Sequence, residues 1–154
     1  MSDKRDKLYY AEKVPIQQLA GFLIIIVIMV LVYLSVIVPG GIPQKTMVFI
    51  ILLVGFIYGT FMTLDVTIDS EKLTVAYSFI KYSVMLDNIA EVKIKKPAWY
   101  WYGGFGIRIG LDLSMGFIQN LREGVLITPK NGRKLIFSTK NPDVVAKILQ
   151  SKIE

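Results

Sequence analysis

The sequence predicts an α+β membrane protein: a two-helix transmembrane hairpin, then a β-barrel or sandwich of about seven strands closed by a C-terminal helix. Three observations carry this expectation. Two blocks without charge, Leu19–Val38 and Met47–Leu64, stand close together in the first half of the chain. From Asp65 onward apolar residues alternate with polar ones between turn residues, the period of strands. The last dozen positions return to helical spacing. The implied organisation is an N-terminal segment over 1–18, the hairpin over 19–64 (helices 19–38 and 47–64), and the β-rich domain over 65–154.

The hairpin follows from length. At about 1.5 Å per residue each block makes a helix of roughly 27–30 Å, which matches a hydrocarbon core of about 30 Å. Both blocks are apolar on every face, and the rest of the chain is too small to surround them as core helices. The first block is also too long for a signal-peptide core and is followed at once by a second. Between them runs Pro39-Gly40-Gly41-Ile42-Pro43-Gln44-Lys45, short and rich in helix breakers, which makes the helices antiparallel neighbours. Tyr9 and Tyr10 precede the first block, where amphipathic rings favour the membrane interface. Gly55 and Gly59 set a G-x-x-x-G spacing on one face of the second helix. They are expected to pack against the first helix, with homodimerisation as the other reading.

Orientation follows from the positive residues. Lys4, Arg5, Lys7 and Lys13 flank the first block and Lys45 alone marks the turn. The expected location is the plasma membrane, multi-pass, with both termini cytoplasmic.

Past the hairpin, Asp65–Ile68, Lys72–Phe79, Lys81–Met85 and Ala90–Lys95 read as strands, with Leu73, Val75 and Tyr77 on one face. Phe105–Ile109 is a further strand, followed by a less regular stretch to Leu121. Val125–Thr128 and Lys134–Ser138 flank Asn131-Gly132, a strong hairpin signal. Asn141, Pro142 and Asp143 open the final helix, whose stripe is Val144, Val145, Ile148 and Leu149.

Composition excludes several chemistries. The chain has no Cys and no His, so disulfides, imidazole or thiolate metal sites and His- or Cys-based catalysis are absent. The net charge is +6, but Lys and Arg are scattered, which fits anionic headgroups better than nucleic acid. Asp87 with Glu91, or Asp112 with Glu123, are the carboxylate pairs open to acid–base work, yet no nucleophile or phosphate loop accompanies them. No cofactor, metal or catalytic residue is expected.

Four groups of residues are candidates for binding. The run Trp99-Tyr100-Trp101-Tyr102 lies in a glycine-flanked loop and either faces the core or meets the membrane interface or a partner. Lys93 and Lys95 share one strand face with Lys96 beside Pro97, a basic set either solvated or set against anionic headgroups. Arg108 lies in an apolar strand and calls for an ion-pair partner, Asp112 or Glu123, or else an anion. Gly55 and Gly59 form the helix-packing pair.

The order of elements from Asp65 onward resembles the bacterial pleckstrin-homology-like domain, and the two preceding helices resemble those of its small membrane-anchored members. The residues that carry this are Ile89-Ala90-Glu91-Val92, Gly104-Phe105-Gly106-Ile107-Arg108-Ile109, Gly124-Val125-Leu126-Ile127, and Gly132-Arg133-Lys134-Leu135-Ile136-Phe137-Ser138-Thr139 running into Asn141-Pro142. The resemblance implies two orthogonally packed antiparallel sheets with a capping helix, in a domain that binds lipids, peptides or proteins. Lipid-binding relatives carry basic residues on the first hairpin. Here that hairpin, Ile68-Asp69-Ser70-Glu71-Lys72-Leu73, is acidic.

The functional expectation is a non-catalytic, membrane-anchored interaction module. It presents its domain at the cytoplasmic face to a protein partner, with anionic lipid as a further contact. The alternative is a small accessory subunit of a membrane transport or secretion complex. Neither the partner nor the oligomeric state is written in the residues.

Overall fold

The computed structural model describes residues 8–16, 18–37, 40–97, 102–120 and 123–153. The chain forms two compact units. One is Ile16–Met62, and the other combines the residues up to Pro15 with those from Thr63 onward.

The helix unit consists of α1 (Gln18–Val36) and α2 (Gln44–Phe61). Partly buried positions in α1 are Gly21, Ile24, Ile28, Leu31 and Ser35, a spacing of three and four that makes one seam. In α2 the corresponding seam runs through Met47, Ile50, Ile51, Val54, Tyr58 and Phe61. A Cβ on Gly21 would lie 3.5 Å from the Tyr58 hydroxyl, an ordinary contact distance, so Gly21 faces Tyr58 across the seam. At the other end the Ser35 hydroxyl donates to the Ile42 carbonyl at 2.8 Å and closes the turn. Off the seam the helices are open, and no residue of α2 is buried. By length and composition α2 can cross a bilayer, while the apolar run of α1 among described side chains, Gly21–Val36, is shorter.

The β unit holds nine strands among the described residues, in two open sheets and not a barrel. The first sheet is an antiparallel meander of β1 (Tyr10–Pro15), β2 (Thr63–Ile68), β3 (Lys72–Tyr77) and β4 (Ile80–Met85). The second contains β5 (Ile89–Ile94), β6 (Gly106–Ile109), β7 (Met115–Ile118), β8 (Gly124–Pro129) and β9 (Leu135–Ser138), in the order β5-β8-β9-β7-β6. A 3-10 turn, Leu86–Asn88, links the sheets, and α3 (Pro142–Ile153) packs mainly on β5.

Alternation builds the core. Leu64, Val66 and Ile68 of β2 are fully buried, as are Leu73, Val75 and Tyr77 of β3, while Asp65, Thr67 and Thr74 face outward. Across the core Tyr77 stacks on Phe117 of β7, with ring centroids 5.9 Å apart and 13° between planes. From α3 come Val145, Ala146 and Leu149, at helical spacing. Val144, expected in that stripe, is exposed, and Ala146 takes its place.

Three expectations are corrected. The residues before the helices are not merely a polar segment, because Tyr10–Pro15 forms β1 and pairs with β2 from Tyr10↔Ile68 to Pro15↔Thr63. Its charges hid it, since only Val14 points fully into the core. The stretch before Leu121 contains β7, whose Gly116 breaks the alternation. The second sheet is mixed and not antiparallel throughout, because β7 runs parallel to β9.

Candidate functional site

The outer face of the second sheet carries its own small core. Tyr102, Ile118 and Ile136 are buried together, with Phe105 and Leu126 packed against them. Strand β9 is therefore buried on both faces, Leu135 and Phe137 on one and Ile136 and Ser138 on the other. The Tyr102 ring lies where side chains at two neighbouring positions would stand. A Cβ on Gly110 would come within 2.8 Å of the ring, and one on Gly116 within 2.9 Å. Glycine at both positions lets the ring lie flat on the β6–β7 hairpin.

The Tyr102 hydroxyl donates to Ser114 Oγ at 2.7 Å, and that hydroxyl in turn donates to the Asp112 carboxylate. Ser114 N–H reaches the same carboxylate oxygen at 3.1 Å. Gly110 N–H donates to the Ser114 carbonyl at 2.8 Å, and Leu113 N–H to the Gly110 carbonyl at 2.9 Å. Burial raises the Tyr102 phenol above its ordinary value, so it keeps its proton further into the alkaline range. This network holds a five-residue turn in which Leu111 and Leu113 are 75% and 66% exposed. Leu113 sits at φ 61, a left-handed conformation that a branched side chain seldom adopts.

The turn between β8 and β9 is also braced. Gly132 takes the left-handed φ of 113, while Asn131 does not, so the connection is a longer loop and not the two-residue turn that Asn-Gly suggests. The Asn88 amide donates to the Asn131 carbonyl at 2.9 Å and accepts from Asn131 N–H at 3.1 Å. Lys130 Nζ donates to the Asp87 carbonyl at 2.8 Å.

The expected site residues separate on this frame. Tyr102 is 6% exposed and belongs to the core, which removes it from any membrane-facing or partner-facing group. Trp99, Tyr100 and Trp101 lie outside the described residues. Lys93, Lys95 and Lys96 are exposed on and just after the edge strand β5, and Lys93 pairs with Glu91 at 2.6 Å, which offsets part of its charge. Arg108 was expected to be buried or half-buried and to need Asp112, Glu123 or an anion as partner. It stands exposed on the edge strand β6, and its Nε donates to the Phe105 carbonyl at 2.9 Å. Asp112 is instead engaged with Ser114. Gly55 and Gly59 do not pack on α1, because a Cβ on either meets nothing within 4 Å. The seam between the helices runs through Val54 and Tyr58, one position earlier each time.

Tyr9 and Tyr10 both make contacts within the β unit. Tyr10 pairs with Ile68, at the far end of the sheet from Pro15, and its hydroxyl accepts from the Asn141 amide at 3.2 Å. The Tyr9 ring lies 4.0 Å beneath Lys152 Nζ in a cation–π contact. Residue Glu12, which sequence reasoning passed over, binds Thr139 Oγ1 and the Lys140 N–H, tying β1 to the start of α3.

The acidic hairpin keeps its character. Asp69 Oδ1 accepts Glu71 N–H and Lys72 N–H at 2.8 Å each, closing the β2–β3 turn with a carboxylate where phosphate recognition needs cations. Among the described residues no group of three or more acidic side chains is placed to hold a metal ion. Comparison with protein-family models, curated proteins and solved structures finds no match to this chain.

Proposed function

We propose that this chain is a non-catalytic, membrane-anchored interaction module, whose α1–α2 pair spans the plasma membrane twice and holds the β unit at the cytoplasmic face. The observation that carries this is the contrast between the two units. The β unit has a buried apolar core of its own, whereas α1 and α2 leave Phe22, Leu52 and Phe56 open, the last 67% exposed. Apolar surface on nearly every side of a helix is stable in hydrocarbon and costly in water. Lengths of 19 and 18 residues suit the bilayer core.

The β unit is proposed to be pleckstrin-homology-like. An antiparallel four-stranded meander, a second sheet and a C-terminal helix support this, and the β6–β7 hairpin is an addition to that plan. Its partner is proposed to be a protein met at the membrane, with anionic lipid as a secondary contact. Anchoring concentrates the domain near other membrane components, so a weak contact suffices. Crosslinking the full chain in its native membrane tests this. Capture of a discrete protein through β-unit positions supports it, and capture through the helices alone contradicts it.

The open face at Gly55 and Gly59 favours the second reading, an accessory subunit of a transport or secretion complex whose helices make the essential contacts. Because that face meets nothing among the described residues, Gly55→Leu with Gly59→Leu leaves the α1–α2 seam intact. Loss of association in the double variant supports the subunit reading, and unchanged association supports the module.

A further inference from the structure

The first sheet has two ends of opposite character. Its register sets Pro15, Thr63, Tyr77 and Ile80 at one end and Tyr10, Ile68, Lys72 and Met85 at the other. The second end is closed by Asp69-Ser70-Glu71, an acidic turn. The first end is where the chain leaves for α1 and returns from α2, with only Ile16 and Gln17 on one side and Met62 on the other between strand and helix. At that same end β3 and β4 are joined by the two-residue turn Ser78-Phe79.

Phe79 is 82% exposed, more than any other large apolar side chain among the described residues. Ile80 beside it is also exposed, and Lys81 follows, likewise exposed. Ser78 takes φ 34, a left-handed turn position, so the tight turn presents the next residue outward. Pairing of Leu64 with Tyr77 puts this turn level with Thr63, about 5–10 Å across the sheet at ordinary strand spacing.

We propose that the Ser78-Phe79 turn is a third attachment to the bilayer, with Phe79 and Ile80 seated in the interfacial layer and Lys81 among the anionic headgroups. The placement rests on the helix pair spanning the membrane. Thr63 follows the end of α2 by two residues and so stands at the membrane surface, and the turn shares its level within the β unit. An exposed apolar ring beside a lysine suits an interface, the ring entering the headgroup–acyl boundary and the ammonium reaching outward. The opposite end of the sheet carries Asp69 and Glu71 with Lys72, and offers no aromatic ring as exposed as Phe79. The occupant is therefore lipid and not a second protein. Sequence alone placed Tyr9 and Tyr10 in this role, and the register assigns it to Phe79.

The natural absence of Cys makes the test direct. Phe79→Cys and Ser70→Cys in the full chain are each spin-labelled and reconstituted into vesicles of mixed neutral and anionic lipid. Collision of each label with lipid-dissolved oxygen and with an aqueous nickel chelate is then measured. The expected result is that oxygen dominates at position 79 and the chelate at position 70. Chelate accessibility at 79 equal to that at 70 overturns the proposal, as does shielding of 79 from both reagents, the mark of a protein contact. Flotation of the labelled protein with the vesicles separates the two levels. Failure to float contradicts the membrane-spanning reading, whereas flotation with an aqueous position 79 contradicts this attachment alone.

Discussion

One phenol joins three parts of the β unit. Tyr102 covers Ile118 and Ile136, fills the spaces left by Gly110 and Gly116, and anchors Ser114 through its hydroxyl. Tyr102→Phe keeps the ring and loses a buried hydrogen bond, an expected cost of about 1 kcal/mol. Tyr102→Ala empties the site and is expected to cost about 3–5 kcal/mol. Thermal unfolding of the full chain in detergent, followed by near-ultraviolet circular dichroism, measures both. Equal effects of the two variants would contradict the packing role. Tyr77 supplies a second residue-scale expectation. Burial raises its phenol well above the ordinary 10.0. Above pH 10 the unfolded chain therefore releases a proton that the folded chain keeps, so stability falls as pH rises, while below pH 10 this group contributes no pH dependence. Tyr77→Phe is expected to flatten the alkaline limb of the stability profile. A limb of unchanged slope would show that burial of this phenol is not its origin.

At the scale of elements, β1 is the clearest case of structure that the sequence hides. Its alternation of Tyr10, Glu12 and Val14 inward is readable afterwards, but a charged inward residue and a terminal proline argue against a strand. What holds it is a long-range contact, Glu12 to Thr139 and Lys140, which no local pattern reports. Strand β7 was hidden for the opposite reason. Gly116 weakens the pattern because Tyr102 occupies the space of its side chain. By contrast the meander from Asp65, the β8–β9 hairpin around Asn131-Gly132 and the final helix were legible, since each is specified by neighbours in sequence. The candidate site was less legible. The aromatic run announced itself, but which of its rings faces inward depends on the two distant glycines. Arg108 appeared buried only because its strand's apolar neighbours do not reveal that β6 is an edge. A test at this scale is Glu12→Ala, expected to cost about 1.5–3 kcal/mol, as for other hydrogen bonds to charged groups. Hydrogen exchange should rise together in residues 10–15 and in the first turn of α3. A rise confined to one of the two would contradict the tie between them.

For the whole molecule, the β unit is not a passenger appended after an anchor. Its first sheet is interrupted by the helix unit, so β1 and β2, which pair side by side, are separated in sequence by both helices proposed to span the membrane. Both strands must therefore lie on one side of the bilayer if the pairing exists, which demands an even number of crossings. The proposed two spans satisfy this, and the proposed direction rests on four cations before α1 against the single Lys45 at the start of α2. Because the chain lacks Cys, single cysteines report the arrangement without background. Gln44→Cys marks the turn and Ser70→Cys the β unit, both at exposed positions. With a membrane-impermeant maleimide on intact cells, the account predicts labelling of Gln44→Cys and protection of Ser70→Cys until the membrane is permeabilised. Labelling of Ser70→Cys in intact cells, whether alone or equally with Gln44→Cys, would contradict a helix pair that crosses the bilayer twice and keeps the β unit inside.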